Sequence, residues 1–559
     1  MRHLAVLFAV SAGFVAVLWL CAWLVRPDLQ ADLPSYSREE LAAAEKLRDN
    51  SVDPAGDLQI YRAVDYSAGP QAAWYPKGES PILAELVAEG KLPPVQERVG
   101  AEPVVYEGVE GIGKYGGTWV RALTDEGSLR FYMTYELGNT TLLRFSPHGY
   151  PATPLLARSY EVSEDNAVFT FRLRKGMRWS DGHPFTADDI MFWWEGWATW
   201  KDPDTGEQLG WVPEIVKARG KEGRIEKVDE YTVRYIFPES QGIFLEFMTG
   251  GRGAAFAPKP AHYLRKYHPE YGDQALIAET MKAYKLPSKM AVFKFVDTVT
   301  NPERPSLSPW IMQTYRPSGP YTLVRNPYYC AVDTEGNQLP YLDRIHFMVK
   351  NAQMVSMAVA NGETSMQVGE FVDYSLLIDQ RRRNGYEVYH WYPAERSIFS
   401  IAPNHNRKVY SDRPETGFKH ELLNDKRFRQ ALSLAIDRQK IIDVEWNGFG
   451  APSQTAPGPA SIYHHPELSH SFVDYDPEDA RKRLDEIGLI QWDDEGYRTF
   501  KDGSRMVFYL NVNQATSQMG AVQFVVDDWA AVGIRVIPRE RSNTLFSLEK
   551  WARKPDLIL

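Results

Sequence analysis

Cysteine is nearly absent: the 559 residues contain two, Cys21 and Cys330. They lie far apart, and Cys21 falls inside an apolar run, so neither a disulfide framework nor a cysteine metal site can be built from them. Positive charge is also in deficit, with 63 Lys and Arg against 73 Asp and Glu for a net charge of -10. No basic stripe tracks a phosphate backbone, which excludes nucleic acid as a partner. The triplet Arg381-Arg382-Arg383 reads as a solvated helix end. No G-x-S-x-G occurs, and no internal repeat marks a solenoid. The histidines do not make a metal site either. His464 and His465 are adjacent and point different ways on a strand, His405 has no carboxylate at ligand spacing, and His262 and His268 are six apart. No metal and no cofactor are expected.

Long hydrophobic runs are missing except at the N-terminus. There Met1-Arg2-His3 precedes an apolar stretch from Leu4 to Val25, closed by Arg26-Pro27-Asp28. A spanning helix needs about 20 residues and a secretory core about 7–15. Three readings stay open: an uncleaved anchor, a cleaved signal, and a lipoprotein acylated at Cys21. All three export the chain.

Aromatics are abundant, with 16 Trp, 30 Tyr and 25 Phe. Such rings bury large area and keep a polar edge, as cores and ligand clefts both require. The length exceeds one ordinary core, so two or more lobes are expected. Residues 27–112 read as a stalk and wrapping segment, with Ser37 capping one helix and another short helix at 81–89. Gly111-Ile112-Gly113-Lys114-Tyr115-Gly116 matches the dinucleotide pattern G-x-G-x-x-G. It runs into Thr118-Trp119-Val120-Arg121-Ala122-Leu123, a strand pattern and not the helix that a pyrophosphate site needs, so a turn is expected there.

Val168–Arg174 alternates as a half-buried strand. Thr186 caps a helix with Asp189 closing a capping box, which assigns Asp188 and Asp189 to the first helical turn and not to acid–base chemistry. Val228–Phe237 reads as one strand entered by an acidic turn. Asn424 or Asp425 caps a helix running to about Asp443. Asp476 caps another, with Pro477 at its first position and Gly488 at its end.

Four blocks together resemble the family 5 extracellular solute-binding proteins of ABC importers, the oligopeptide-, dipeptide- and nickel-binding type. They are Phe169–Gly176 with Trp179–Asp189; Gly319–Leu323 with Arg325–Tyr329 and Tyr341–Ile345; Leu423–Arg438; and Tyr475–Ala480 through Leu489. The resemblance covers about residue 114 to the end. Three features depart from it, the first being the long preface before residue 113, which is not standard in the family. Gly362-Glu363-Thr364-Ser365-Met366 lacks an expected Asp, and the second lobe reads as C-terminally incomplete.

The resemblance implies an α/β, two-lobed periplasmic-binding-protein clamp of the class with an extra subdomain in lobe 1, and the apolar run places an N-terminal transmembrane anchor before it. Its parts are residues 1–26 as signal or anchor, 27–112 as extension, 113–395 as lobe 1 with a subdomain at about 143–260, and 396–559 as lobe 2. It further implies a monomer outside the cytoplasm that captures a peptide or small molecule in an interlobe cleft and delivers it to an ABC permease, with no catalysis. Ligand contacts are expected from Asp125 and Glu126 in the loop after the first lobe-1 strand, from Arg396 and Asn404, and from Tyr321 and Trp391 as stacking walls. A peptide is the expected cargo, with a metal chelate still open. A tethered ligand sensor is the nearest alternative, and a hydrolase a more distant one.

Overall fold

The computed structural model describes five residues of the N-terminal apolar run and residues 63–559, apart from 109–110, 139, 147–151, 219–220, 250, 316–318, 369–373, 390–394, 397–398, 459–460, 462 and 515–517. The expected anchor, its Cys21, the Ser37 helix and Trp391 lie outside the described residues. Among the described residues no helix is long and apolar enough to cross a membrane.

The chain forms two compact units. One takes the residues up to Arg121 and Leu129–Met348; the other takes Ala122–Ser128 and Val349–Leu559. The main division between them falls after Met348. The reason is local packing: beyond Met348 the helices Ala352–Ala360 and Tyr374–Asn384 fold on each other, with the Asn384 amide donating to the Ala360 carbonyl at 2.6 Å.

In the first unit, the strands Ala157–Val162, Val168–Leu173, Thr232–Ile236 and Arg224–Asp229 form an antiparallel sheet in that spatial order. Alternation along Val168–Leu173 buries Phe169, Phe171 and Leu173. They join a core of Trp179, Trp193, Tyr235 and Phe244 that continues to Cys330 and Ala331. The single strand expected at 228–237 is instead a hairpin. Asp229 accepts the Tyr231 N–H at 2.8 Å, an Asx-type turn that reverses the chain.

A second sheet orders Trp310–Thr314, Tyr321–Arg325, Arg344–Val349 and Thr118–Leu123. The glycines before Thr118 adopt positive φ at Gly116 and Gly117, a turn into a strand with no helix behind it. The described part of the N-terminal extension is built into this unit. Trp74, Val95, Val99 and Val105 pack with Val332, and Val104–Tyr106 pairs in parallel with Ala331–Asp333.

In the second unit, Phe508–Asn513 lies between Val536–Arg541 and Leu557–Ile558, parallel to both, and Ala402–Pro403 pairs antiparallel at the edge. Helices Lys426–Leu434, Pro477–Glu486 and Met519–Ala531 supply its core through Phe428, Leu432, Leu484, Val525 and Trp529. The helix expected to run from 426 to 443 breaks. Asp437 caps a new one, Arg438–Glu445, by accepting the Lys440 N–H at 3.1 Å, while its own N–H donates to Asp528.

Candidate functional site

Open α/β sheets recognise ligands at the carboxyl ends of their strands, where backbone runs out and helices begin. In the second unit that edge carries Asn513 and Arg541, the ends of two parallel strands. Ser542 then caps the helix Asn543–Trp551. The Asn513 amide donates to the Asn543 side-chain oxygen at 3.1 Å. Arg541 and Asn511 both donate to Glu549, at 3.0 and 2.7 Å. Partial burial works to raise the Glu549 pKa, but these donors outweigh it and hold the carboxyl below its ordinary value.

Segment 122–128 belongs to this same unit. Its first residue is bracketed by one side chain: the Ala122 N–H donates to Gln367 and the Gln367 amide returns to the Ala122 carbonyl, both at 2.9 Å. Lys350 N–H donates to the Leu123 carbonyl at 2.9 Å. Asp125 accepts the Ser128 N–H at 2.7 Å and so caps the helix that opens at Glu126. At Gly127 an added Cβ would stand 2.8 Å from the Asn543 amide nitrogen, so glycine lets the segment approach the sheet edge. The segment, Asn513 and Asn543 make one polar rim.

The six residues picked out in sequence therefore fall in different places. Asp125 and Glu126 lie on the segment at this rim. Asn404 is structural in its contacts, its amide donating to the Pro555 carbonyl at 2.8 Å beside the strand that follows. Tyr321 is 1% exposed, and its ring stacks with Tyr315 at 6.2 Å in the first unit. Arg396 has backbone in the short strand Glu395–Arg396, paired with Ala456–Pro457, and its side chain is outside the described residues, as is Trp391.

Gln367, Asn513 and Asn543 were not found in sequence. The missing Asp near Met366 was the only hint of Gln367, and nothing local marks the asparagines. Among the described residues no cluster of His, Cys, Asp and Glu could hold a metal ion. The Cys330 thiol is buried, which pushes its pKa up to about 11 and leaves it unreactive.

The block Trp179–Asp189, the most recognisable in the sequence, holds the first unit together. Asp189 accepts the Trp179 indole N–H at 3.2 Å, the Thr186 N–H at 3.1 Å and the Ala261 N–H at 3.0 Å. The capping box is present in full. Asp181 pairs with His262 at 2.7 Å, and His183 stacks on that ring at 3.9 Å.

Two mixed α/β units with such a rim define a class. Solved periplasmic binding proteins share the fold: one from Agrobacterium fabrum C58 in complex with stachyose matches 91% of this chain and 77% of its own at a TM-score of 0.69 and 24% identity. An oligopeptide-binding protein OppA is 34% identical, covering 87% of this chain and 75% of its own at a TM-score of 0.57. The model for bacterial extracellular solute-binding proteins, family 5 (middle region), matches residues 152–559, and the chain belongs to that family.

Among curated relatives, the periplasmic alpha-galactoside-binding protein of Rhizobium meliloti is 28% identical over 82% of this chain and 66% of its own length. The dipeptide-binding protein of Escherichia coli is 24% identical over 68% and 62%. The chain thus spans slightly less than two-thirds of the curated relatives it matches.

Proposed function

We propose that this protein is the extracytoplasmic solute-binding component of an ABC importer, which captures a small ligand and hands it to a membrane permease without chemical change. Family membership supports the reading. The observation that carries it is the 122–128 segment, held by Gln367 and lying close to Asn543 at the carboxyl ends of parallel strands. A rim of amides, an arginine and two acids is chemistry for recognition, since hydrogen-bond donors and acceptors converge there with no activated nucleophile.

In this reading Asp125 and Glu126 contact the ligand, and Trp391 and Arg396 complete the contacts. Tyr321 and Asn404 support from within their own units. Open and ligand-bound forms exchange, and the permease responds to the bound one.

Two ligand classes fit the family: peptides, the class expected from the sequence, and oligosaccharides. One observation favours the second. The match to the alpha-galactoside binder covers 82% of the chain at 28% identity, against 68% at 24% for the dipeptide binder. Calorimetric titration of the purified chain with stachyose, raffinose and a di- and tripeptide panel tests both. Saturable heat with one class, and recovery of the ligand unaltered, supports the proposal. Absence of heat and of any melting shift with sugars, peptides and metal chelates overturns it.

A further inference from the structure

The segment that opens at Glu126 runs as an α-helix to Phe131 and then loosens into a π-helical turn, Tyr132–Glu136, closed by the Leu137 N–H on the Tyr132 carbonyl at 2.8 Å. Single π turns are uncommon and recur at functional sites. Here the inner face of the turn is held firmly within the first unit. The Tyr132 ring lies over Phe347 at 6.1 Å with planes 16° apart. Between neighbouring rings the Arg121 guanidinium sits 4.1 Å from the Tyr132 centroid and 5.1 Å from that of Trp119. It also pairs with Glu136 at 3.0 Å. Any Cβ at Gly138 would collide with the Met133 carbonyl oxygen, and the Gly138 carbonyl accepts the Ser308 hydroxyl at 2.8 Å.

The outer face carries Phe131 and Tyr135, four residues apart, 53% and 47% exposed. Their centroids are 5.1 Å apart and their planes tilt by 47°, a shallow V of two ring faces. Isolated exposed rings are ordinary on protein surfaces. A tilted pair on a turn locked from beneath is preorganised, so a ligand that covers it has little ordering entropy to lose. The carboxylate next in the chain after Tyr135, Glu136, is engaged by Arg121. The pair thus offers ring faces, which suit a ligand with one apolar face.

We propose that Phe131 and Tyr135 form a stacking platform for a pyranose ring of an α-galactoside, taking its C–H face while its hydroxyls stay turned to water and polar side chains. This rests on the oligosaccharide reading of the proposed function and names two residues that set its specificity.

The test is calorimetric titration of the whole chain with stachyose and with a tripeptide, for wild type and for Phe131→Ala/Tyr135→Ala. The expected result is at least a tenfold loss of stachyose affinity in the double variant, near wild-type affinity in Phe131→Trp, and an unchanged denaturation midpoint. Should the double variant fold poorly, Phe131→Leu and Tyr135→Leu keep apolar bulk without the ring face and are expected to show the same loss. Undiminished stachyose affinity in these variants overturns the platform and leaves the solute-binding reading standing. Wild-type binding of peptide but not of stachyose or raffinose also overturns the platform alone, whereas wild type that binds neither class overturns both.

Discussion

Each unit contains a buried carboxylate gripped by two cations, and the two grips span very different lengths of chain. In the first, Asp297 accepts from Arg304 at 3.0 Å and pairs with Lys259, whose ammonium lies 4.2 Å from the Trp197 centroid. All three side chains keep 10–12% exposure. In the second, Asp556 is 1% exposed and accepts from Arg407 at 2.6 Å, Lys419 at 2.8 Å and the Tyr509 N–H at 2.9 Å. Its cationic partners are 149 and 137 residues away in sequence. The first grip staples a helix end to the loop that follows it. The second joins the strand Leu557–Ile558 to Arg407 and to the helix Glu415–Asn424, where a broken pair strands charge in a drier place.

Breaking the more buried grip is expected to have the largest effect. Asp556→Ala leaves Lys419 and Arg407 without their carboxylate, a loss of about 3–5 kcal/mol for a buried ion pair. Hydrogen exchange should then lose protection in Phe508–Asn513 and Leu557–Ile558 while Val168–Leu173 and Thr232–Ile236 keep theirs. Asp297→Ala should reverse that pattern at a smaller cost, about 2–3 kcal/mol, because water still reaches its partners. Burial works to raise the Asp297 pKa, but Lys259 and Arg304 together hold it below its ordinary value. The stability it contributes is therefore complete above about pH 4 and is lost only as pH falls through the depressed folded value.

The same contrast explains how much was legible. Local signals sat in the first unit: the alternation of Val168–Leu173, the Thr186 capping box and the glycine turn before Thr118 each depend on residues within four of one another. All three appear in the structure. Apart from the turn at Asp229, the departures came where a distant partner decides. Asp437 starts a new helix with its N–H on Asp528, 91 residues on. The Gln367 amide reaches Ala122 across 245 residues, and the Asn543 side chain lies beside Gly127 from another part of the chain. Of the candidate site, the segment at Asp125 and Glu126 was singled out through the family resemblance and not through a local pattern. The asparagines opposite were not singled out, since side chains at parallel strand ends carry no local pattern.

Acid should separate the units further. His268 is buried, its Nε2 on the Gly196 carbonyl at 3.1 Å and its Nδ1 facing the Glu270 N–H at 3.3 Å, which fixes one neutral tautomer. Burial lowers its pKa to about 4 against that carbonyl's opposing pull. The unfolded chain binds this proton near pH 6.5 and the folded one does not, so stability of the first unit should fall as pH drops from about 6.5 to about 4. In His268→Phe that part of the pH slope should vanish from melting curves, with Val292 and Phe293 reporting the first unit by hydrogen exchange. A smaller effect is expected from Gly127→Ala: a several-fold loss of ligand affinity with stability within about 1 kcal/mol, because the Asn543 side chain can turn aside from a contact near 3 Å.

The smallest effect should come from Asp188, set against a neighbour with the same side chain. Asp189 is 3% exposed and receives three N–H groups, one from an indole. Asp189→Asn turns one accepting oxygen into a donor facing donors, which should cost about 1–3 kcal/mol. Asp188 points outward in the same helical turn and pairs with Lys227 at 2.7 Å, with side-chain exposures of 60% and 35%. An exposed pair gains little over its own hydration, and the helix dipole adds a few tenths at most. Asp188→Ala should therefore shift the denaturant midpoint by less than about 0.5 kcal/mol, and Lys227→Ala should do the same. A loss above about 1 kcal/mol in either would mean that this pair is shielded in solution, and that the acid assigned to the helix surface carries weight in the fold comparable to its buried neighbour.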